Sequence, residues 1–269
     1  MRHYCLIRFF WLVIPATTAG FAGPQPGTGP AVAVVEKIKA DAARLRTQFP
    51  DLICHETITP ESYRGRRRLK QAAIVSSFTG LQSRDERRDL AFTEIREVRT
   101  VNGKAVGKGW KLKAPYVFEG GFSSSLWMVF GPDGPRHHFY GPAGEETYDG
   151  KPALAVGFRS DPSLAKLYMK NFGRVIAFTD EGTALVDPAS YKVKRLKVNI
   201  KFPSPDMLPL AITVSYKDAD ISGQTYSLPE AVRVREGDSH SYRDLNALFL
   251  AEYTNYRKFE VSSEIQFQP

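Results

Sequence analysis

The residues best suited to chemistry in this chain are few and widely spaced. Ser163 and Lys166 satisfy Ser-x-x-Lys, a pattern in which a lysine activates a serine for acyl transfer. The full signature also needs Ser-Asp-Asn and Lys-Thr-Gly, and neither tripeptide occurs. His137 and His138 are adjacent on an extended segment and so point to opposite faces, which is wrong for chelating one ion. Together with His55 and His240 they form no metal-binding spacing, so no metal and no cofactor is expected. Glu145, Glu146 and Asp149 could belong to a carboxylate pair for glycoside chemistry, but they lie among glycines that mark solvated turns. Gly103 to Lys108 imitates a phosphate-binding loop, yet it has one residue too few between its glycines and no Ser or Thr after Lys108.

Two further groups depend on where the strands put them. Asp51–Thr59 alternates, setting Leu52, Cys54, Glu56 and Ile58 on one face, so Cys54 reads as a buried structural thiol. Arg64, Arg66, Arg67, Arg68 and Lys70 crowd around Gly65 in a hairpin loop. They form a charged rim and the best anion-contact site in the chain, suited to an anionic membrane surface or polymer.

The N-terminus carries an export signal. Arg2 and Arg8 precede the apolar run Phe9–Ile14, and small residues follow, so residues 1–22 read as a secretory signal peptide cleaved after Ala19 or Ala22. That run is too short to span a bilayer, and no lipid-attachment cysteine stands at the cleavage region, so a soluble periplasmic or extracellular protein is expected. Cys5 leaves with the signal, which leaves Cys54 alone and permits no intramolecular disulfide. Loss of Arg2 and Arg8 lowers the net charge from +8 to +6. Such a balance favours anionic surroundings, and for an exported chain lipid headgroups or envelope polymers fit better than nucleic acid. With 42% hydrophobic and 25% charged residues the remainder can form a globular core.

Residues 23–30 make a flexible leader, and residues 31–269 are expected to form one β-rich domain. Val35, Ile38, Ala42, Leu45 and Phe49 recur at helical spacing, so one amphipathic helix ends where Pro50 forbids continuation. Gly173–Phe202 shows the organisation best. Two apolar runs flank Thr179–Gly182 as a hairpin, Asp187-Pro188 starts a second turn, and Leu196, Val198, Ile200 and Phe202 then alternate with Arg195, Lys197, Asn199 and Lys201. Val193 is out of phase with Leu196, which predicts a bulge near Lys194 and Arg195. Asn102-Gly103 is a two-residue turn signal. Between Glu119 and Pro152 the recurrent glycines separate short runs, Leu126–Phe130, His138–Tyr140 and Ala153–Phe158, that read as a meander of strands. Asp161 and Pro162 then open a short helix through Tyr168. Strands follow at Ile212–Tyr216, Thr225–Leu228 and Glu230–Arg235, and the aromatic end from Phe249 reads as strand, with helix open for Tyr242–Leu250.

GTALVDPASYKVKRLKV, residues 182–198, resembles the strand, Asp-Pro turn and basic-ended strand of the periplasmic lipoprotein-carrier superfamily that includes LolA and the N-terminal domain of RseB. ISGQTYSLPEAV, residues 221–232, stands where its neighbouring strands fall, and the arrangement covers most of residues 31–267. A helix leading to a cysteine-bearing strand, as at Cys54, is also similar to other exported relatives of that group.

The resemblance implies an α+β fold, a strongly curved antiparallel sheet forming an unclosed barrel, with the N-terminal helix on its concave face. It implies a non-enzymatic envelope protein that shelters lipid or lipoprotein acyl chains. The helix stripe of Val35, Ile38, Ala42 and Leu45 and the strand residues Leu196, Val198 and Ile200 are expected to line the apolar groove. The alternatives are an envelope sensor or scaffold that binds protein partners and, third, a hydrolase with an unrecognised site.

Overall fold

A computed structural model describes residues 6–8, 30–64, 67–84, 90–110, 117–122, 124–161, 163–164, 166–171, 174–237 and 246–259. In chain order the elements begin with β1 (Leu6–Arg8), α1 (Pro30–Gln48), β2 (Leu52–Arg64), β3 (Arg67–Gln71), β4 (Ile74–Arg84), β5 (Leu90–Val101), β6 (Lys104–Ala105) and β7 (Val117–Glu119). A second helix α2 (Ser124–Phe130), a 3-10 turn (Gly134–Arg136), β8 (His138–Tyr148), β9 (Lys151–Ser160) and β10 (Leu167–Asn171) follow. The last five strands are β11 (Arg174–Val186), β12 (Val193–Lys201), β13 (Leu210–Ile221), β14 (Gln224–Glu236) and β15 (Ala247–Lys258).

The strands form one large sheet in the order β6-β5-β4-β2-β15-β14-β13-β12-β11-β10-β1-β7, whose two ends, among the described residues, do not pair with each other. Neighbours are antiparallel except β1 with β7. β3 extends the sheet beside the far end of β2, and β11 pairs β10 with its first half and β9 with its second. The fold is thus α+β, an unclosed antiparallel sheet with an N-terminal helix on its inner side. Alternation explains why: in β13 and β12 every second residue is buried, Leu210, Ile212, Val214 and Tyr216 beside Leu196, Val198 and Ile200. The sheet therefore has one dry face, and α1 turns Val35, Ile38, Ala42 and Leu45 into the core that forms on it. On the outer side of α1, Glu36–Lys39 and Asp41–Arg44 pairs face solvent, where they contribute little to stability.

Several local expectations hold. Asn102 and Gly103 both take positive φ, 50° and 77°, in the β5–β6 turn, which is the geometry a two-residue hairpin needs. Asp187 caps its turn, its Oδ1 accepting from Ala189 N at 3.1 Å and Ser190 N at 2.7 Å. The β11–β12 register shifts between Leu185 and Val186, leaving Lys194 as the extra residue that keeps Val193 and Leu196 both buried.

Others are corrected. Thr179–Gly182 is no turn, because β11 runs unbroken through it. Asp180 points into the core, and Gly182 is there for close approach, since a Cβ on it would lie 1.9 Å from Lys197 O. Leu126–Phe130 belongs to α2 rather than a strand; a run of five apolar residues has no period that separates the two. Asp161 starts a turn, accepting from Ser163 N at 2.8 Å, and the expected helix through Tyr168 is instead β10, which buries Leu167 and Met169 two residues apart. Thr225–Leu228 and Glu230–Arg235 are one strand, β14, whose Pro229 sits opposite Tyr216 at a bulge that tolerates a missing donor. Within Tyr242–Leu250, the described part from Ala247 is strand, and residues 238–245 lie outside the described residues. The signal and leader expected over residues 1–30 also lie outside, apart from β1 and Pro30.

Candidate functional site

The seven residues expected to line an apolar groove all lie in one continuous core. Leu196, Val198 and Ile200 are at 0% exposure, and Leu45 is the most exposed of the helix four at 9%. α1 and β12 do not simply face each other, however. α1 packs on β8 and on α2, and α2 in turn contacts β12, so Met128, Val129 and Phe130 take part in the same core. α2, which the sequence hid, is part of the cover.

α1 is held near its middle and just past its C-terminal end by aromatic contacts. Lys37 Nζ stands 3.9 Å from the centroid of Tyr191 in the β11–β12 turn, and Phe49, just past the C-terminus, meets Phe92 of β5 edge to face at 5.1 Å. Those two points lie on distant strands, so the helix crosses the sheet rather than following one strand. Beneath its C-terminal end is an aromatic cluster centred on Phe122, which lies 4.7 Å from Phe78, 5.0 Å from Tyr253 and 5.9 Å from Phe92.

Two buried polar groups interrupt the dry face. Glu56 on β2 has no exposed surface and accepts from Ser76 Oγ at 2.6 Å and from Arg96 Nε at 2.9 and 3.0 Å. Arg96 Nη2 also reaches Glu94 at 3.3 Å, and Glu94 Oε2 accepts from Gly120 N at 3.0 Å. Burial opposes the Arg96 charge, but Glu56 foremost, then Tyr253 and Glu94, outweigh it and raise its pKa. The network therefore ties the strand that carries Arg96 to the segment that delivers Phe122. With two carboxylates on one guanidinium, Arg96 is committed to the protein rather than to a ligand. Cys54 lies beside this network, buried; burial first and Glu56 second push its thiol pKa far up, which makes it inert.

The second group is His138 and Asp180. His138 Nε2 lies 3.0 Å from Asp180 Oδ1, its Nδ1 lies 3.1 Å from Gly134 O, and neither side chain is exposed. Both ring nitrogens are engaged by protein partners, so His138 joins the 3-10 turn to β11 and has no nitrogen left for substrate. Ser160 Oγ bonds the backbone of Asp180, donating to its carbonyl and accepting from its N–H, and does not reach the histidine. Ser163 Oγ donates to Asp161 at 2.6 Å on the surface, and Glu145, Glu146 and Asp149 are exposed. Among the described residues no group of three His, Cys, Asp or Glu could hold a metal ion, and no helix is long and apolar enough to cross a membrane.

The basic residues lie elsewhere. Arg64 ends β2, while Arg67, Arg68 and Lys70 lie on β3, all exposed; Arg66 is outside the described residues. Arg68 Nη1 reaches Glu61 at 3.1 Å, and Leu69 between Arg68 and Lys70 is 47% exposed. Sequence reasoning missed both buried polar groups. For Glu56 a signal existed, because alternation puts it on the face of Leu52, Cys54 and Ile58, where a carboxylate demands a partner. Nothing local pointed to Asp180.

No protein-family model matches the chain. No curated protein is significantly similar to it. Solved structures are. A DUF1329 family protein from Desulfovibrio piger aligns with a TM-score of 0.43 at 11% identity, over 88% of this chain and 96% of that one. A LolA superfamily protein from Nitrosomonas europaea aligns with a TM-score of 0.38 at 9% identity, over 86% of this chain and 94% of that one. A Vibrio parahaemolyticus domain described as outer membrane lipoprotein-sorting aligns with a TM-score of 0.37 at 10% identity, over 86% of this chain and 95% of that one.

Proposed function

We propose that this chain is an exported, non-enzymatic carrier of the cell envelope that shelters an apolar chain, of lipid or lipoprotein acyl type, beneath the α1 stripe of Val35, Ile38, Ala42 and Leu45 and against Leu196, Val198 and Ile200. One observation carries the reading: a helix lies across the strands, held at its middle by Lys37–Tyr191 and just past its C-terminus by Phe49–Phe92, over a core that is apolar apart from the Glu56–Arg96 and His138–Asp180 groups. Such a cover can lift as a unit, with α2 following it, and the apolar surface it leaves favours a hydrocarbon over water. The arginines and apolar run at the N-terminus support export.

A second reading, an envelope sensor or scaffold for protein partners, is favoured by the zero exposure of Leu196, Val198 and Ile200, whose faces are already filled. Native mass spectrometry of the protein purified from its own envelope separates the two. The carrier should retain a stoichiometric acyl-containing species and, once stripped, should take up a long-chain fatty acid. A protein that carries no lipid and takes up none sinks the carrier and leaves the scaffold.

A further inference from the structure

β3 is unlike the rest of the sheet. All five of its residues, Arg67 to Gln71, are exposed, although pairing across the bulge at Leu69 sets Arg68 and Gln71 on the side of Glu61 and Tyr63, and Arg67 and Lys70 on the side of Ser62 and Arg64. A strand wet on both faces buries nothing. Among the described residues it pairs only with β2, across a register shift between Ser62 and Tyr63, and it continues the line of β4 towards the edge where the β15 ladder stops opposite Ser62 and Asn246 O accepts from Tyr63 N. The β2–β3 ribbon is therefore a finger at the end of β2 away from α1.

Its composition is as particular as its position. Arg64, Arg67, Arg68 and Lys70 stand around Leu69, and Glu61, the one acidic residue in the sequence from 59 to 71, is bonded by Arg68 and Tyr63. The β5–β6 turn lies at the same end, since Asn102 Oδ1 accepts from Ala73 N at 2.9 Å, and it adds the exposed Lys104. Leu69 has no core to join, and a leucine 47% exposed amid cations gains nothing from water.

We propose that this finger docks the protein on an anionic phospholipid bilayer. The cations meet lipid phosphates and Leu69 enters the headgroup layer between them. Basic side chains around an inserted apolar one combine electrostatic attraction with apolar burial, and neither a soluble polyanion nor a neutral membrane rewards both. This goes beyond the acyl-carrier reading and does not depend on it.

The test is co-sedimentation of the full chain with phosphatidylcholine vesicles and with vesicles containing phosphatidylglycerol. Binding should require the anionic lipid and should collapse at about 1 M salt, where charges are screened within about 3 Å. Arg67→Ala with Lys70→Ala should weaken it about 25-fold, about fivefold for each charge removed. Leu69→Trp should bind at least as tightly as the parent and shift its fluorescence to the blue on anionic vesicles. All three positions are on the surface, so the variants should keep the parent's circular dichroism spectrum. Equal binding to both vesicle types, no loss in the double variant, or binding without a Trp shift would overturn the proposal, the last in favour of a polyanionic polymer. A chain that sediments with anionic vesicles yet holds no acyl ligand would keep this inference and remove the carrier.

Discussion

Arg96 Nε lies 2.9 and 3.0 Å from the two carboxylate oxygens of Glu56, and the pair spans β4, whose Ser76 completes the site. The bond joins β5 to β2 without a shared backbone ladder. Removing one partner leaves the other charged and buried, so Glu56→Gln should cost about 3–5 kcal/mol. Replacing Glu56 and Arg96 together by Met, with Glu94→Gln so that no buried carboxylate loses its counter-ion, should recover much of that, since neutral side chains of similar volume avoid the desolvation of charge. Urea unfolding of the three proteins gives the numbers; a single substitution costing less than about 1 kcal/mol would show that the pair is solvated in solution.

Gly182 marks a second rigid point. A Cβ there would meet Lys197 O at 1.9 Å and Phe158 Cζ at 2.5 Å, and the first of these is backbone that the β11–β12 ladder holds in place. Gly182→Ala should therefore cost at least about 3 kcal/mol, the upper end for overpacking. Gly144→Ala, where nothing lies within 4 Å, should stay within about 0.5 kcal/mol. Thermal melts of the two variants make the comparison.

The same glycine shows where sequence reasoning ran out. Leu196, Val198 and Ile200 were legible because one dry face imposes period two, and α1 because Val35, Ile38, Ala42 and Leu45 impose a helical period. Asp180 and Gly182 read as a turn because both are common in turns, yet each answers to a distant partner, His138 for one and Lys197 for the other. Local propensity carries no record of such partners. α2 escaped for a related reason: its apolar run is set by α1 and β12, not by a period of its own.

Lys37, near the middle of α1, forms a latch with Tyr191. Tyr191 holds φ at 58°, a conformation that a non-glycine residue adopts only when its surroundings hold it there. A cation–π contact at an exposed site is worth about 0.5–1 kcal/mol. Lys37→Ala should therefore raise the open population of α1 about two- to fivefold. Hydrogen exchange of the α1 amides should speed by that factor while the β13 amides stay unchanged; equal rates in both proteins would mean that the contact does not restrain the helix.

Asp187 ties the latch turn to pH. Hydrogen bonds from Ser190, backbone first and hydroxyl second, lower its pKa below the ordinary aspartate value. A carboxylate lowered on folding stabilises the protein above the unfolded pKa of about 3.9, and that contribution disappears as pH falls through the folded value. Asp187→Asn should thus be less stable than the parent at neutral pH, and the two stabilities should converge as pH falls through the lowered folded value. Urea midpoints at several pH values decide it, and a gap that widens towards acid would contradict the assignment.

The carrier reading also makes a claim about ligand length. Lifting α1 exposes Val35, Ile38 and Leu45, each worth about 1.5–3 kcal/mol when buried, so the opening costs about 5–9 kcal/mol. A hydrocarbon taking their place regains about 0.8 kcal/mol per methylene, which offsets that cost at about 6–11 methylenes. Fatty acids of about eight carbons should therefore bind negligibly and those of about sixteen should bind well, with affinity rising steeply between them. Displacement of a fluorescent fatty acid across a chain-length series measures this directly. Ile38→Ala weakens the hold of α1 and should move the threshold to shorter chains by about two to five methylenes, since losing such a side chain costs about 2–5 kcal/mol, part of it spent on stability elsewhere. A threshold that stays fixed in Ile38→Ala would place the ligand away from α1, and no binding at any length would mean that α1, α2 and β12 fill the interior themselves.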